Sequence, residues 1–316
     1  MSNTIDITRP SYLGIPNCIN ETVSLTNDLA QCVGTDARWL SAVRRSMTGE
    51  VAGECYKTDT ALPDVVNMIK HGQLMQARLT AEEVTADRVG RAVTQYRYRL
   101  QMITPVLPRR EALFALYVPR WQTSEERTLV KDYASTHDLS INGNVTWSDA
   151  GSLTFDSTTR GNYLISDTFA HTRNDYTIIV NRTINPNAES TSLGLRLVHN
   201  LNNDYATDTV SMRRGRNEIT CEVGGRDNRI NMSDVPQDGC AWLTRRSYCG
   251  VDEMQEGNRR NWRRIDINAY HIYNQNYRRP MWSELRALAI WTEQLTADEI
   301  EQAELYLTYA TRPADL

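Results

Sequence analysis

The spacing of apolar residues changes partway along the chain, and this change limits the folds open to it. Before residue 105, apolar side chains recur three and four positions apart, which is the spacing of one face of an α-helix. After about Glu111 they come in short runs that alternate with polar residues or carry β-branched and aromatic side chains, as β-strands do. Pro105 and Pro108 lie at the change and end the helical pattern. A helical first part and a β-rich second part are therefore predicted.

Three helices are predicted in the first part. Asp36 can cap the first, which carries an apolar stripe of Trp39, Leu40, Val43 and Met47. The second covers residues 63–71 and ends at Gly72. The third starts at a capping box of Thr80 and Glu83, and its apolar residues are Val84, Val89, Ala92, Val93, Tyr96 and Leu100. The Tyr-Arg run at residues 96–99 is interpreted as an exposed face of this helix rather than a nucleic-acid contact.

The second part is predicted to be a β-sandwich. Its strand-like segments are residues 112–118, 152–155, 176–180, 194–199, 218–223, 265–272 and 284–291. Clusters of Asn, Asp and Gly separate them, and many short strands with polar turns are typical of a sandwich or jelly roll. A capping box of Thr296 and Glu299 predicts a closing helix with Ile300, Ala303, Leu305 and Leu307 on its apolar side.

A series of short motifs in this part has a recognisable order. The motifs are residues 131–139 (KDYASTHDL), 145–147 (VTW), 151–156 (GSLTFD), 161–164 (GNYL), 175–178 (DYTI), 285–291 (LRALAIW) and 295–300 (LTADEI). In this order they resemble the motifs of concanavalin A-like (laminin-G-like) jelly-roll domains, over roughly residues 112–316. The first motif lacks the usual glycine and asparagine, and Ser157 stands where a glycine is usual.

The expected fold class is therefore α+β multidomain. Residues 1–110 would form a helical anchoring or assembly region, and residues 111–316 an antiparallel β-sandwich of the concanavalin A-like kind. Leu153 and Phe155 point to one face of their strand, as do Ile178 and Val180, so two sheets can bury them between themselves. The closing helix is expected to cover an open edge or end of the sandwich.

Charge and cysteine usage argue against several classes of protein. A net charge of −4 argues against a dedicated nucleic-acid binder. Nothing approaches eighteen consecutive apolar residues, so no membrane span is expected, and residues 1–10 lack the basic and apolar regions of a signal peptide. The six cysteines form no C-x-x-C pair and lie far from the histidines, so we predict no metal site, no cofactor, and reduced thiols.

Arginine dominates the basic residues. Only Lys57, Lys70 and Lys131 are lysines among 35 basic residues. Because the guanidinium group tolerates interfaces and pairs with carboxylates in a bidentate way, this bias indicates a surface packed against partners. Genomic base composition is the alternative explanation.

No catalytic residue is predicted. Glycoside hydrolases of this fold carry paired carboxylates on one strand face, in an E-x-D-x-x-E or E-x-D-x-E pattern. Residues 264–268 look like the corresponding central strand, but Arg264 and Asn268 flank Asp266 there. Glu218 and Glu222 share a strand face and are interpreted as surface residues. The loop aspartates Asp204, Asp208 and Asp234 are interpreted as turn formers rather than calcium ligands.

The densest group of candidate binding residues lies between residues 240 and 285, where aromatic side chains alternate with arginines. Its members are Trp242, Tyr248, Trp262, Arg263, Tyr273, Tyr277 and Trp282. One interpretation is a contact surface for sugar or protein, since sugars stack on aromatic rings and arginine with aromatic residues is the composition of interface hot spots. The other is that Trp262 and Trp282 belong to the core and arginines stack on them.

A helical anchor joined to a lectin-like module is the arrangement expected of a non-enzymatic virion protein of a tailed bacteriophage, such as a head fibre, capsid decoration or tail component. Residues 1–110 would bind other virion or assembly proteins, the chain would be a homo-oligomer, and a cell-surface glycan is a possible further partner. The alternative is a carbohydrate-binding module protein, cytoplasmic or on a bacterial surface. A glycoside hydrolase is the less favoured third reading.

Overall fold

The computed structural model divides the chain into two compact units, Met1–Thr104 and Pro105–Leu316. It describes residues 11, 13–33, 39–57, 61–70, 73–87, 89–103, 105–173, 175–189, 192–199, 201, 208–214, 218–224, 226–249, 254–269, 271–272, 275–276 and 278–309.

The first unit is a five-stranded antiparallel sheet. Its strands are β1 (Cys18–Val33), β2 (Trp39–Tyr56), β3 (Val65–Lys70), β4 (Gln73–Ala86) and β5 (Ala92–Met102). They lie in the order β1-β2-β5-β4-β3. Val51 on β2, Met75 on β4 and Tyr98 on β5 are fully buried on one side of the sheet, where Leu13 and Ile15 pack against the same cluster.

The prediction of a helical first part is wrong for the described residues. On β5, Tyr96, Tyr98 and Leu100 are buried while Arg97 and Arg99 between them are exposed, so the period is two. The hydroxyl of Thr80 does not cap a helix but donates to the carbonyl oxygen of Arg97 on the neighbouring strand, at 3.0 Å. β-Branched and aromatic residues favour a strand wherever cross-strand neighbours bury them.

The other two predicted helices are strands as well. The four apolar positions of the first, Trp39, Leu40, Val43 and Met47, lie in β2, and the second coincides largely with β3. Asp36 and Gly72, the expected helix boundaries, lie outside the described residues. The antiparallel pairing of β2 with both β1 and β5 satisfies the backbone groups that helices would have satisfied internally.

The second unit holds the remaining strands. They are β6 (Leu113–Tyr117), β7 (Leu129–Val130), β8 (Leu139–Asn142), β9 (Val145–Trp147), β10 (Leu153–Phe155), β11 (Tyr163–Ser166), β12 (His171–Thr172), β13 (Thr177–Ile184), β14 (Leu193–Val198), β15 (Asp208–Arg214), β16 (Glu218–Val223), β17 (Arg226–Asn231), β18 (Asp238–Thr244), β19 (Asn261–Trp262), β20 (Arg264–Ile267), β21 (His271–Ile272), β22 (Gln275–Asn276) and β23 (Trp282–Trp291). Short 3-10 turns occur at Arg110–Ala112, Pro119–Trp121, Ser124–Glu126 and Met232–Asp234.

Two large sheets of this unit form a β-sandwich. One has the order β18-β13-β23-β10-β9, with β6 also paired to β23, and the other has the order β17-β16-β15-β14-β20-β11-β8-β7. β12 with β19 and β21 with β22 form two-stranded ribbons. Leu153, Phe155, Ile178 and Val180 are buried in one core cluster with residues of the eight-stranded sheet. The predicted antiparallel sandwich and the inward orientation of these four residues are thus confirmed.

The closing helix, α1 (Ala297–Tyr309), begins at the predicted capping box. The backbone N–H of Thr296 donates to Glu299 Oε2 at 2.8 Å, and the N–H of Glu299 donates to the Thr296 hydroxyl at 3.3 Å. Its buried residues pack in a second cluster with Ile179 and Ala289, which point away from the sandwich core. The helix therefore covers the outer face of the six-stranded sheet. The prediction that it would cover an edge or an end of the sandwich is wrong.

In the described part of the chain, no helix is long and apolar enough to cross a membrane.

Candidate functional site

The eight-stranded sheet carries charge on the face turned away from the core. Strand alternation turns Leu195 and Leu197 inward and Arg196 outward. The register aligns Arg196 with Asp266 on one side and with Ser211 on the other, and Ser211 in turn with Glu222. A row of polar side chains thus crosses four neighbouring strands: β20, β14, β15 and β16.

The two carboxylates in this row are neutralised by arginines. Asp266 is fully buried and accepts two hydrogen bonds from the Arg264 guanidinium, at 2.6 and 2.9 Å, while Arg196 lies 3.9 Å away. Glu222 accepts from Arg259 at 3.2 Å. Because buried charges are stable only when paired, these contacts account for the presence of both acids in the sheet.

The same two carboxylates do not form the pair that glycoside hydrolysis needs. They are three strand spacings apart, which puts their Cα atoms about 14 Å from one another, and each carboxylate is bound by an arginine. Glu218, expected to share a face with Glu222, is partly exposed and lies 3.6 Å from Arg229.

An open groove lies at one end of this sheet, where β11 and β14 end and β20 begins. We call it the end groove. Its volume is about 680 Å³, and it is lined by Thr168, Phe169, Ala170, His199, Leu201, Asn261 and Arg263. Backbone hydrogen bonds join its three segments: the N–H of Phe169 donates to the Arg263 carbonyl at 2.9 Å, and the N–H of Arg263 donates to the Val198 carbonyl at 2.8 Å.

An aromatic cluster holds one wall of the end groove in place. The Phe169 ring lies 4.4 Å from that of His137 and 5.4 Å from that of Phe114, measured between centroids. Phe114 also packs on His171 and on the edge of Trp262. Burial lowers the pKa of the His137 imidazole and of the His171 imidazole, and the Arg173 charge lowers the latter further, so both rings are neutral near pH 7.

Polar groups in the end groove are available to a ligand. The half-buried Arg263 guanidinium has neither an ion pair nor a hydrogen bond with the described residues. His199 Nδ1 is buried there without a hydrogen-bond partner among them. Asn261 is held in place, since its Oδ1 accepts from the Thr172 hydroxyl at 2.7 Å. The combination of a partly exposed aromatic ring with fixed polar groups is common in sites for small polar ligands.

The structure separates the residues that were predicted to form one contact surface. Trp262, Trp282 and Tyr248 are at most 1% exposed and lie in the sandwich core, so their rings are not presented for stacking. For Trp262 and Trp282, the core interpretation is thus the correct one. Trp242 is half-buried and packs against the cluster under α1. Arg263 lines the end groove, and Tyr273 and Tyr277 lie outside the described residues.

Phe169, His199 and Asn261 were not among the predicted site residues. Their positions in the sequence give some indication of a site. Each of them lies just beyond or beside a strand-like segment, where the ends of neighbouring strands meet. These positions do not predict the site without the strand order, because the strand order brings β11, β14 and β20 together from positions far apart in the chain.

The described residues contain no group of three His, Cys, Asp or Glu side chains that could hold a metal ion. Asp234, one of the three loop aspartates, is exposed and accepts a hydrogen bond from the Ser233 hydroxyl at 3.1 Å. Asp204 lies outside the described residues.

No protein-family model matches the sequence, and no curated protein matches it either. Among solved structures, a Trypanosoma rangeli sialidase in complex with sialic acid is similar at 10% identity and a TM-score of 0.41, over 90% of this chain and 53% of that one. The binding domain of botulinum neurotoxin serotype D/C is similar at 12% identity and a TM-score of 0.43, over 63% of this chain and 53% of that one.

A truncated AlyQ with CBM32 and alginate lyase domains is similar at 6% identity and a TM-score of 0.24, over 87% of this chain and 98% of that one. The chain spans about half the length of the sialidase and neurotoxin structures. At these TM-scores the likenesses carry no argument about function. The class of protein is therefore defined by the fold itself, an antiparallel β-sandwich preceded by a separate five-stranded sheet.

Proposed function

We propose that this chain is a non-catalytic carbohydrate-binding protein and that its β-sandwich holds a glycan in the end groove. The observation that carries the proposal is the groove itself: an open volume of about 680 Å³ where Phe169, Asn261 and Arg263, whose guanidinium has no partner among the described residues, converge. A sugar has apolar ring faces and many hydroxyl groups, and this lining offers an aromatic surface and fixed polar groups to match them.

Contacts within the chain hold the lining of the groove in place. Backbone hydrogen bonds hold the segments at Phe169, Val198 and Arg263 together, and the aromatic cluster supports Phe169 from behind. Preorganisation of this kind lowers the entropy lost on binding, which matters for a weak ligand such as a short glycan. The buried carboxylates of the charged face are bound by arginines, Asp266 by Arg264 and Glu222 by Arg259, and this supports a binding role rather than hydrolysis.

The proposal is tested on a glycan array with the full chain and two variants. Arg263→Ala removes a polar group of the groove and is expected to abolish or strongly weaken the wild-type signal. Arg246→Ala is the matched control, because Arg246 is an exposed arginine outside the groove lining, and its array profile is expected to be that of the wild type. Absence of any glycan signal for the wild type would contradict the proposal, as would equal losses in both variants.

A second candidate function, assembly into a larger particle such as a virion, is favoured by the first unit. Its edge strand β1 spans sixteen residues and is paired, in the described part of the chain, with β2 alone. A long edge strand presents unpaired backbone groups that can pair with another chain. The localisation and the homo-oligomer expected from the sequence belong to this candidate.

The assembly candidate is tested by the mass of the purified chain in light scattering. A stable trimer or larger species, or co-purification with a capsid, would support it. A monomer at 36.1 kDa would count against it and leave the glycan proposal untouched.

A further inference from the structure

We infer that the end groove selects glycans that carry a carboxylate, with Arg263 as the residue that binds it. This inference rests on the proposed function and adds to it the chemical class of the sugar. Residues 259–264 include four arginines, and these differ in their partners.

Three of these arginines are already neutralised. Arg259 lies 3.2 Å from Glu222, Arg260 pairs with Glu256, and Arg264 binds Asp266 through two nitrogens. Arg263 has no such carboxylate among the described residues, although it is half-buried. Within the described part of the chain, the charge of Arg263 is therefore the one of the four that no carboxylate neutralises.

The surroundings of Arg263 make the groove attractive to an anion. The described lining includes no Asp or Glu, and its titratable members are Arg263 and His199. Arg173 adds a further positive charge behind the wall, where its Nε donates to His171 Nε2 at 3.1 Å. A ligand carboxylate would thus meet positive charge without having to displace an ion pair to any described residue.

The geometry of the guanidinium group favours a carboxylate in particular. Its planar fork of donors matches the two oxygens of a carboxylate, and charge-assisted hydrogen bonds of this kind are shorter and stronger than neutral ones. The partial burial of Arg263 lowers the screening by solvent and strengthens the contact further. The remainder of the sugar would contact Phe169 and the polar groups of Asn261 and Thr168.

The experiment compares matched ligands on the same backbone sugar. Oligosaccharides of hexuronic acids are immobilised as the free carboxylate and as the methyl ester, beside sulfated and neutral oligosaccharides of the same length. The wild type is expected to bind the carboxylate form at least 10-fold more tightly than the ester, because esterification removes the charge and leaves the sugar otherwise intact.

Variants then assign the selectivity to one residue. Arg263→Ala is expected to lower the affinity for the carboxylate form by about 10-fold to 100-fold, the equivalent of one hydrogen-bonded charge contact. It should bring that affinity close to that of the methyl ester, whereas Arg263→Lys, which keeps the charge but not the fork, should retain part of the selectivity. Arg246→Ala is the control for general electrostatic attraction and should behave as the wild type.

The possible failures are distinguishable. Binding of esters and neutral sugars as tightly as carboxylates, unchanged in Arg263→Ala, would overturn the acidic selectivity and leave the glycan proposal standing. Equal or tighter binding of sulfated sugars would overturn the assignment to carboxylates. Equal losses of affinity in Arg263→Ala and Arg246→Ala would show that non-specific electrostatic attraction, and not a site at Arg263, causes the binding. No binding to any sugar would overturn both the proposed function and this inference.

Discussion

Asn268 and Trp282 hold each other through two hydrogen bonds that close one end of the sandwich. The side-chain amide of Asn268 donates to the Trp282 carbonyl at 2.9 Å, and the Trp282 N–H donates to Asn268 Oδ1 at 3.0 Å. Asn268 follows β20 with a φ of 57°, a left-handed conformation that asparagine tolerates better than most residues. The pair joins the end of β20 in one sheet to the start of β23 in the other.

Replacement of Asn268 should therefore destabilise the sandwich strongly. Asn268→Ala leaves a buried N–H and a buried carbonyl of Trp282 without this partner, and we expect a loss of about 2–4 kcal/mol in the free energy of unfolding. Denaturant unfolding followed by tryptophan fluorescence measures it, because every tryptophan except Trp39 lies after Pro105. Asn258→Ala, at an exposed asparagine, should change the stability by less than about 0.5 kcal/mol; similar losses in both would contradict the role of the pair.

Gly194 on β14 gives the indole of Trp282 its space. A Cβ at this position would lie 2.6 Å from Trp282 Nε1 and Cε2, far inside van der Waals contact. Both residues are buried, so Gly194→Ala should cost about 1–3 kcal/mol through overpacking. Unfolding of Gly194→Ala measures this cost.

A double variant, Gly194→Ala with Trp282→Phe, tests whether the cost comes from the clash with the indole or from a general preference for glycine at this position. A phenyl ring lacks the indole atoms nearest to Gly194, so Gly194→Ala should cost clearly less in a Trp282→Phe background than in the wild type. Equal costs in both backgrounds would show that the indole is not the cause.

The aromatic cluster beside the end groove predicts a pH dependence of stability. Burial lowers the pKa of His137 and of His171 in the folded state, whereas in the unfolded state both titrate near about 6.5. As the pH falls through the unfolded value, the unfolded chain binds protons that the folded chain does not. The stabilisation is therefore complete above this value and is lost as the pH falls towards the folded pKa values.

Thermal unfolding between pH 7.5 and 5.5 tests this expectation, since ordinary carboxylates titrate mainly below this window. The wild type should lose stability over the interval, and His137→Phe, which keeps a ring against Phe114 and Phe169, should lose less. An identical pH dependence in the variant would exclude His137 as a contributor.

The sequence is sufficient to predict the main strands of the sandwich. The strands of the first unit are wrongly predicted as helices, and the reason is physical. Segments such as β13 and β23 combine strand length with β-branched and aromatic residues. On β5, apolar residues occur both at every second position and at helical spacings, so the pattern alone does not choose between periods. The choice is made by pairing with β2 and β4, which buries Tyr96, Tyr98 and Leu100 together.

Only part of the candidate site could be predicted from the sequence. Arg263 stood out because it belongs to an aromatic and arginine-rich segment, but the same composition also marked the buried Trp262 and Trp282. Composition does not say which side of a strand faces the core. Phe169 and His199 are about 60 to 95 residues from Arg263 in the chain, and they meet it through strand order and register, which depend on the whole fold.

Asp266 is expected to be the most sensitive of the charged residues on the eight-stranded sheet. It is fully buried, binds Arg264 at 2.6 Å, and lies 3.9 Å from Arg196, whose side chain is also almost completely buried. Asp266→Asn keeps the shape of the side chain but leaves two arginines without the negative charge they share. Because removing one partner of a buried ion pair is costly, we expect a loss of about 3–5 kcal/mol in the free energy of unfolding.

The matched control for this variant is Asp227→Asn, which removes a carboxylate paired with Arg213 on the same sheet. The Asp227 side chain is 56% exposed, and exposed ion pairs contribute at most about 1 kcal/mol. Denaturant unfolding of both variants measures the difference. The loss in Asp266→Asn should also persist in 0.5 M salt, because ions do not reach a buried pair, whereas any loss in Asp227→Asn should shrink there. Equal and salt-sensitive losses would show that the Asp266 pair is no better shielded from solvent than a surface pair.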